Sequence, residues 1–246
     1  MIEISGDKAF QKDYSYFKEY LAVFNDLKKL KQSKENTKNY FGNEISLHLD
    51  ILKNEKYIND DLTLTNKGKI SANIHEIHSQ AMTDIIDEGV LDVLSPEEIV
   101  AVMSVFTPIR LSDEDKYVTV DYINCNSNII QTVKKVKHSL DYWYDIETKY
   151  QTSFSQEYDI QYDMCEFMFQ WCVAENEDQC INIYNNAKQF NVYIGEFVKA
   201  ILKIKNMCKE LEQACQIKEN TGLLNKLSKI PELILKSIVT NQSLYL

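Results

Sequence analysis

Apolar residues recur at helical spacing through most of this chain. Between residues 7 and 33 they fall at Phe10, Tyr14, Phe17, Leu21, Phe24, Leu27 and Leu30. Steps of three and four predict an amphipathic helix that packs against a partner. The polar run KQSKENTKN at 31–39 reads as a linker. A short helix follows, carried by Ile45, Leu47, Leu49, Ile51 and Leu52. Two short apolar runs, Tyr57-Ile58 and Leu62-Thr63-Leu64, then flank an Asn59-Asp60-Asp61 tip, which is a hairpin signal. Thr65, ahead of Lys67-Gly68-Lys69-Ile70, reads as a helix cap. Helix, tight hairpin, helix is the order of a small winged-helix unit, and also of a plain helical connection.

Ile70, Ile74, Ile77, Ala81 and Ile85 predict the next helix, with Gly89 at its end. Ser95-Pro96-Glu97-Glu98 is the clearest start signal in the chain. Ser95 caps, Pro96 occupies a position where its missing N–H costs nothing, and Glu98 closes a capping box as a structural residue. Pro108 stops that helix, and residues 111–124 read as an acidic loop or short strand. Ile129, Val133, Val136, Leu140 and Trp143 mark a long amphipathic helix. Further helices are predicted at about 156–174, 177–188 and 222–240, with a turn at Phe190-Asn191. The longest seam is Ile194, Phe197, Ile201, Ile204, Cys208, Leu211 and Cys215. At 100° per residue it occupies about 100° of one face, and Lys199 and Lys203 lie roughly opposite.

The 246 residues suffice to bury roughly 70–75% of the unfolded surface. Six isolated glycines and three prolines suit long uninterrupted elements, and neither GxxxxGK[ST] nor GxGxxG occurs. The net charge of −10 argues against a broad basic nucleic-acid footprint but leaves room for a local stripe. Six cysteines without a CxxC pair read as reduced, partly buried thiols of an intracellular protein. The start lacks a secretory pattern, and no stretch reaches the ~18 apolar residues of a membrane span.

Several side-chain groups invite a chemical reading. His75-Glu76-Ile77-His78 is one residue short of the zinc-binding HExxH, so both histidines read as ordinary surface residues and no metal site is expected. Asp113-Glu114-Asp115 and Glu175-Asn176-Glu177-Asp178 read as solvated loop charge. Trp143, Trp171 and most tyrosines are expected to fill the core rather than stack on bases. Lys199 and Lys203, one turn apart, project side by side from a helix anchored on its other face. That arrangement can be a solvated surface, or it can touch phosphates without reading sequence.

The strings TLTNKGKISANI (63–74), AMTDIIDEGVLDVLSPEEIVAVMSVF (81–106), QWC (170–172), YIGEFVKAILKIKNM (193–207) and the terminal SLYL (243–246) resemble one family in order and spacing over about 175 residues. It is the C-terminal region of the superkiller and mRNA-transport group of DExH-box RNA helicases, which assist the RNA exosome. The helical part resembles the DSHCT domain, residues 44–73 resemble the winged-helix edge before it, and residues 7–33 resemble more weakly the helix returning from the inserted arch domain.

The resemblance implies a mostly α fold: an arch-return-like helix and linker at 1–38, a winged-helix-like segment at 39–73, and a DSHCT-like helical bundle at 74–246. It implies that the bundle closes one side of a single-stranded RNA channel above two RecA-like motor domains of the same parent protein. The long helix at 194–215 matches the one that contacts RNA as the motor steps. Lys203 falls where the family usually has an arginine, Lys199 at a second basic position, and Arg110 near the channel where relatives are often acidic. Lysine keeps the charge but loses arginine's planar fork. The family's tryptophan-x-x-glycine becomes Trp171-Cys172-Val173-Ala174. ATP and Mg would belong to the parent, no cofactor to this chain, and an exosome-type complex would be a partner. With no phosphate loop or DExH motif in these residues, the chain is expected to be either a fragment of a longer helicase, which the match of 7–33 to a mid-protein helix favours, or a stand-alone relic, and not itself to hydrolyse ATP. The rival expectation, motivated by the acidic charge and the helix at 7–33, is a protein-interaction scaffold without nucleic-acid binding.

Overall fold

A computed structural model describes residues 8–111, 116–154 and 156–241. The chain is mostly helical, and among the described residues no strand forms. Two compact units divide between Ile51 and Leu52.

The first unit is nearly all one helix, α1 (Lys8–Asn54), whose last residues enter the second. It runs without a break through 31–39, where composition suggests a linker. That stretch has no glycine or proline, and its lysines, glutamine and glutamate are good helix formers, so nothing local stops propagation. Tyr14, Phe17, Phe24 and Leu30 are exposed along it.

The second unit opens with a turn rather than a wing. The hairpin signal at 57–64 becomes one antiparallel bridge, Ile58 to Leu64. Asp61 shortens it: its Oδ1 accepts from both the N–H and the hydroxyl of Thr63, at 3.0 and 2.6 Å. Such an Asx-type turn diverts the backbone before a ladder can extend. Thr65 caps α2 (Asn66–Ser71), accepting from the Gly68 N–H as its spacing predicts. Gly68 is needed for close approach, because a Cβ there would stand 2.0 Å from the Tyr57 carbonyl oxygen.

One predicted helix, from Ile70 to Ile85, is two. After α2 the chain unwinds until α3 (Ser79–Asp87) begins. Glu210 causes the break, its Oε2 accepting from the His75 and Glu76 amides at 3.0 and 3.1 Å. His78 then caps α3, with Nδ1 accepting the Ala81 N–H at 3.2 Å. It is 2% exposed, which corrects its reading as a surface histidine; His75 is exposed.

The capping box of Ser95 and Glu98 forms and starts α4 (Pro96–Met103). Glu98 does more than cap, since its Oε1 also accepts from Asn126 Nδ2 at 2.6 Å. Helix α5 (Ser127–Tyr150) buries Ile129, Val133, Val136, Leu140 and Trp143, the predicted stripe. The helix expected at 156–174 is only α6 (Cys165–Val173). The residues ahead of it run non-helical across the bundle: Gln161 donates its N–H to Val105 O at 2.9 Å, and its side chain accepts from Ile109 N at 3.0 Å. Side-chain partners elsewhere in the fold outbid local helix there. Helix α6 ends on Ala174 at φ −59, so no left-handed residue, and no glycine, is required.

Helix α7 (Glu177–Gln189) is capped by Asn176, and Asn191 makes the turn at φ 62. Glu177 and Asp178 occupy its first turn, where carboxylates offset the helix dipole. The Asp113–Asp115 cluster and the SLYL end lie outside the described residues. Helix α8 (Ile194–Lys218) is the centre of the bundle, touching α2, α4 and α7. It also touches α9 (Thr221–Leu227) and α10 (Ile230–Ile234). Phe197, Ile201, Ile204, Cys208, Leu211 and Cys215 are buried as their spacing predicts, and so are Ala200, Met207 and Ala214 on other sides. The single helix expected at 222–240 is α9, α10 and α11 (Ile238–Asn241), with Pro231 in the first turn of α10.

Both tryptophans are core residues. Trp143 packs edge-on to Tyr57 and Phe154 at centroid distances of 5.6 and 5.8 Å. Trp171 meets Phe197 at 5.1 Å and donates Nε1 to Ile234 O at 3.0 Å. Each such ring removes 150–250 Å² from water at most, with about 0.5–1.5 kcal/mol added by the edge-to-face geometry. All six cysteines are free thiols, five of them buried.

Candidate functional site

Helix α8 buries its apolar faces in the bundle and carries its polar side chains to the surface. A surface groove lies near its N-terminal end. Arg110, Lys199 and Lys203 line a groove of about 250 Å³ there, with Thr107, Pro108, Glu196 and Ala200. The three residues singled out from sequence therefore share one surface feature. Lys199 and Lys203 reach it from α8; Arg110 comes from the segment after α4, where Pro108 has ended the helical run.

The geometry follows from helix periodicity. Residues 196, 199, 200 and 203 fall within about 100° of one another around the axis. Ala200, 4% exposed, lets the opposite wall approach closely. Lys199 is exposed and Lys203 half-buried. Among the described residues, the side chains of Lys199, Lys203 and Arg110 form no ion pair and donate no hydrogen bond.

Other lysines are already occupied. Lys218 Nζ donates to Ile86 O and Asp87 O at 2.6 and 2.7 Å. Lys226 Nζ donates to Asp92 O and Leu94 O at 2.6 and 2.8 Å. Lys236 Nζ reaches Cys172 O and Ala174 O at 3.1 and 2.6 Å. These three close the carbonyl ends of α3, the turn at 90–93 and α6, where a cation is favoured. Lys199 and Lys203 have no such carbonyls to satisfy.

Lys203 also borders a second hollow of about 550 Å³, lined among others by His75, Glu76, Phe106, Gln156, Glu157 and Asp159. Its acidic side chains make it electrostatically unlike the first. A polyanion on α8 is thus attracted on the Arg110 side of Lys203 and repelled on the other.

Sequence reasoning missed Glu196. Its Oε2 is buried without a hydrogen-bond partner, beside the three cations of the groove. The signal was present: Glu196 stands three and seven residues before the two lysines, on the same helical face. Thr107 and Pro108 had no local signal, since only the fold of the segment after α4 brings them to α8.

No His, Cys, Asp and Glu group among the described residues has the arrangement of a metal site. No helix among them is long and apolar enough to cross a membrane.

Residues 61–242 match the DSHCT (NUC185) domain family. The chain is 23% identical over 197 residues to the DExH-box ATP-dependent RNA helicase DExH11 of Arabidopsis thaliana, covering 80% of this chain and 14% of the relative. It is 25% identical over 200 residues to the antiviral helicase SKI2 of Saccharomyces cerevisiae, covering 80% and 15%. To the ATP-dependent RNA helicase mtr4 of Schizosaccharomyces pombe it is 20% identical over 245 residues, covering 96% and 20%. The chain spans a fifth or less of the length of these relatives.

Proposed function

Because this chain belongs to the DSHCT (NUC185) family, we propose that it is the C-terminal helical module of an ATP-dependent RNA helicase and guides single-stranded RNA for a motor that lies outside these residues. Lys203 is the principal contact, Lys199 the second, and Arg110 completes the cluster from the facing wall. All three bind phosphate as charges and impose no sequence preference. In this reading the residues at 39–73 form a reduced winged-helix edge and those at 74–246 the bundle. ATP and Mg act in RecA-like domains of the parent, which works inside the cell beside an exosome-type RNA-degrading assembly.

The observation that carries the proposal is the convergence of three cations, from two segments far apart in sequence, on one groove where, among the described residues, none of them forms an ion pair. Surface lysines with only a solubilising role have no reason to meet an arginine there. Fluorescence anisotropy with a labelled oligouridylate at low salt tests it. Lys199→Glu combined with Lys203→Glu is expected to weaken binding at least roughly tenfold with unchanged circular dichroism. In the complete helicase the same pair should impair unwinding. Unaltered RNA affinity would remove the groove from the RNA path and return the module to a scaffolding role.

A further inference from the structure

Helices α4 and α8 each carry a glutamate as their third residue and use it differently. Glu98 in α4 is fully engaged: Oε2 accepts the Ser95 N–H at 2.8 Å, and Oε1 accepts from Asn126 Nδ2 at 2.6 Å. Among the described residues, Glu196 in α8 closes no such box and forms no ion pair, not even with Lys199 one turn on. Its Oε2 is buried without a hydrogen-bond partner. A carboxylate oxygen taken from water and left unpaired is costly. Offsetting the helix dipole does not require that cost, because Glu177 and Asp178 do so for α7 from exposed positions.

The surroundings narrow what could satisfy it. Glu196 lines the groove of Arg110, Lys199 and Lys203. A surface that binds phosphate gains nothing from a negative charge, since carboxylate and phosphodiester repel each other. The carboxylate suits a bound strand only where that strand supplies a hydrogen-bond donor. Phosphodiesters carry none. In RNA a donor accompanies every phosphate whatever the base: the ribose 2′-hydroxyl, which DNA lacks.

We propose that Glu196 is the residue by which this groove distinguishes RNA from DNA, accepting a hydrogen bond from the 2′-hydroxyl of a nucleotide whose phosphate Lys199 or Lys203 holds. This rests on the RNA-guiding reading of the groove and adds a specificity to it. The cations attract any polyanion; the carboxylate penalises a strand that brings no hydroxyl. A deoxy strand leaves Glu196 unpaired beside a phosphate, so discrimination comes from repulsion of the wrong ligand as well as from the bond to the right one.

Fluorescence anisotropy at low salt tests this with the full chain and three labelled strands of equal length. They are oligouridylate, its 2′-deoxy counterpart, and the 2′-fluoro form, which keeps a ribose-like pucker but cannot donate. Oligouridylate should bind at least about fivefold more tightly than either of the others. Glu196→Ala should tighten the deoxy strand and bring the ratio near one. Glu196→Gln, equally uncharged but still an acceptor, should keep a ratio above that of the alanine variant. Equal affinity of the parent chain for ribo and deoxy strands would overturn the assignment, and the three strands decide this without any variant. So would a 2′-fluoro strand held as tightly as RNA, an alanine variant that keeps the parent's ratio, or equal ratios for alanine and glutamine. Lys199→Glu with Lys203→Glu judges the groove separately. If that pair weakens RNA binding while the ratios fail, Glu196 alone loses its role; if it leaves RNA affinity unaltered, both readings fall.

Discussion

Trp143 and Asp84 are joined by a 2.8 Å hydrogen bond from the indole Nε1 to the carboxylate Oδ2. The other oxygen is shared: Tyr57 donates its hydroxyl to Oδ1 at 3.0 Å, and Lys67 Nζ stands 2.6 Å from it. One carboxylate therefore fastens α3 to α5, to α2 and to the turn before α2. Burial, then the neighbouring Asp84 charge and hydrogen bond, pushes the Tyr57 phenol far above its ordinary range, so it serves as a donor throughout accessible pH. Replacing Asp84 by alanine leaves the indole N–H without its acceptor, while the Tyr57 hydroxyl keeps Gln80 O at 3.0 Å and Lys67 Nζ keeps Glu55 O at 3.3 Å. The expected loss is about 1–3 kcal/mol, read from urea denaturation of the variant against the parent. A loss under about 1 kcal/mol would mean that water replaces the carboxylate without cost.

His78 gives the fold an acid-sensitive joint. Burial lowers its imidazole to about 4, whereas in the unfolded chain it titrates near 6.5. The unfolded state thus takes up the proton first as pH falls. Stability from neutral His78 is complete above about pH 6.5 and declines as pH falls toward 4, by up to about 3 kcal/mol. Protonation also abolishes the Nδ1 acceptor that caps α3. Asparagine caps equally well and does not titrate. Urea midpoints of His78→Asn between pH 7 and 4 should decline less steeply than those of the parent. Parallel curves would assign the acid sensitivity to carboxylates alone.

Two glycines predict opposite outcomes. Gly68→Ala places a methyl against the Tyr57 carbonyl, and neither backbone can retreat without breaking the Thr65 cap or the Ile58–Leu64 bridge. A loss of roughly 3 kcal/mol or more is expected. Gly195, in the first turn of α8, has no atom near its missing Cβ. Gly195→Ala should stabilise by about 0.4–1 kcal/mol through the unfolded chain. Thermal melts of the two variants side by side check both signs.

The groove predicts a shallow salt dependence despite the overall charge. Three phosphate contacts on a single strand correspond to a slope of log affinity against log salt of about −2, roughly −0.7 for each contact. Removing Lys199 and Lys203 together should bring it to about −0.7. A slope near zero in the parent chain would mean that RNA, if bound at all, is held by contacts other than phosphates.

The α8 seam was legible from Ile194 to Cys215, and so were the caps at Thr65 and Ser95, because each depends on residues within four positions of one another. Failures occurred where a distant side chain competed for the backbone. Glu210 on α8 broke the helix expected at 70–85, and Gln161 engaged backbone that its own segment would otherwise have wound into helix. The linker expected at 31–39 failed for a different reason: polarity alone does not end a helix when no residue there opposes it.

Local order thus belonged to the sequence itself: which residues cap, which face of each long helix is apolar, and that two lysines emerge together one turn apart. Their electrostatic meaning did not. Whether a lysine is spent on a helix carbonyl, as Lys218, Lys226 and Lys236 are, or left to face a groove with Arg110, depends on which backbone ends lie within reach of its ammonium. Only the packing of α4, α6 and α8 sets those distances. Because charge interactions fall with separation and with exposure to water, charges of the same type acquire different roles in the folded chain.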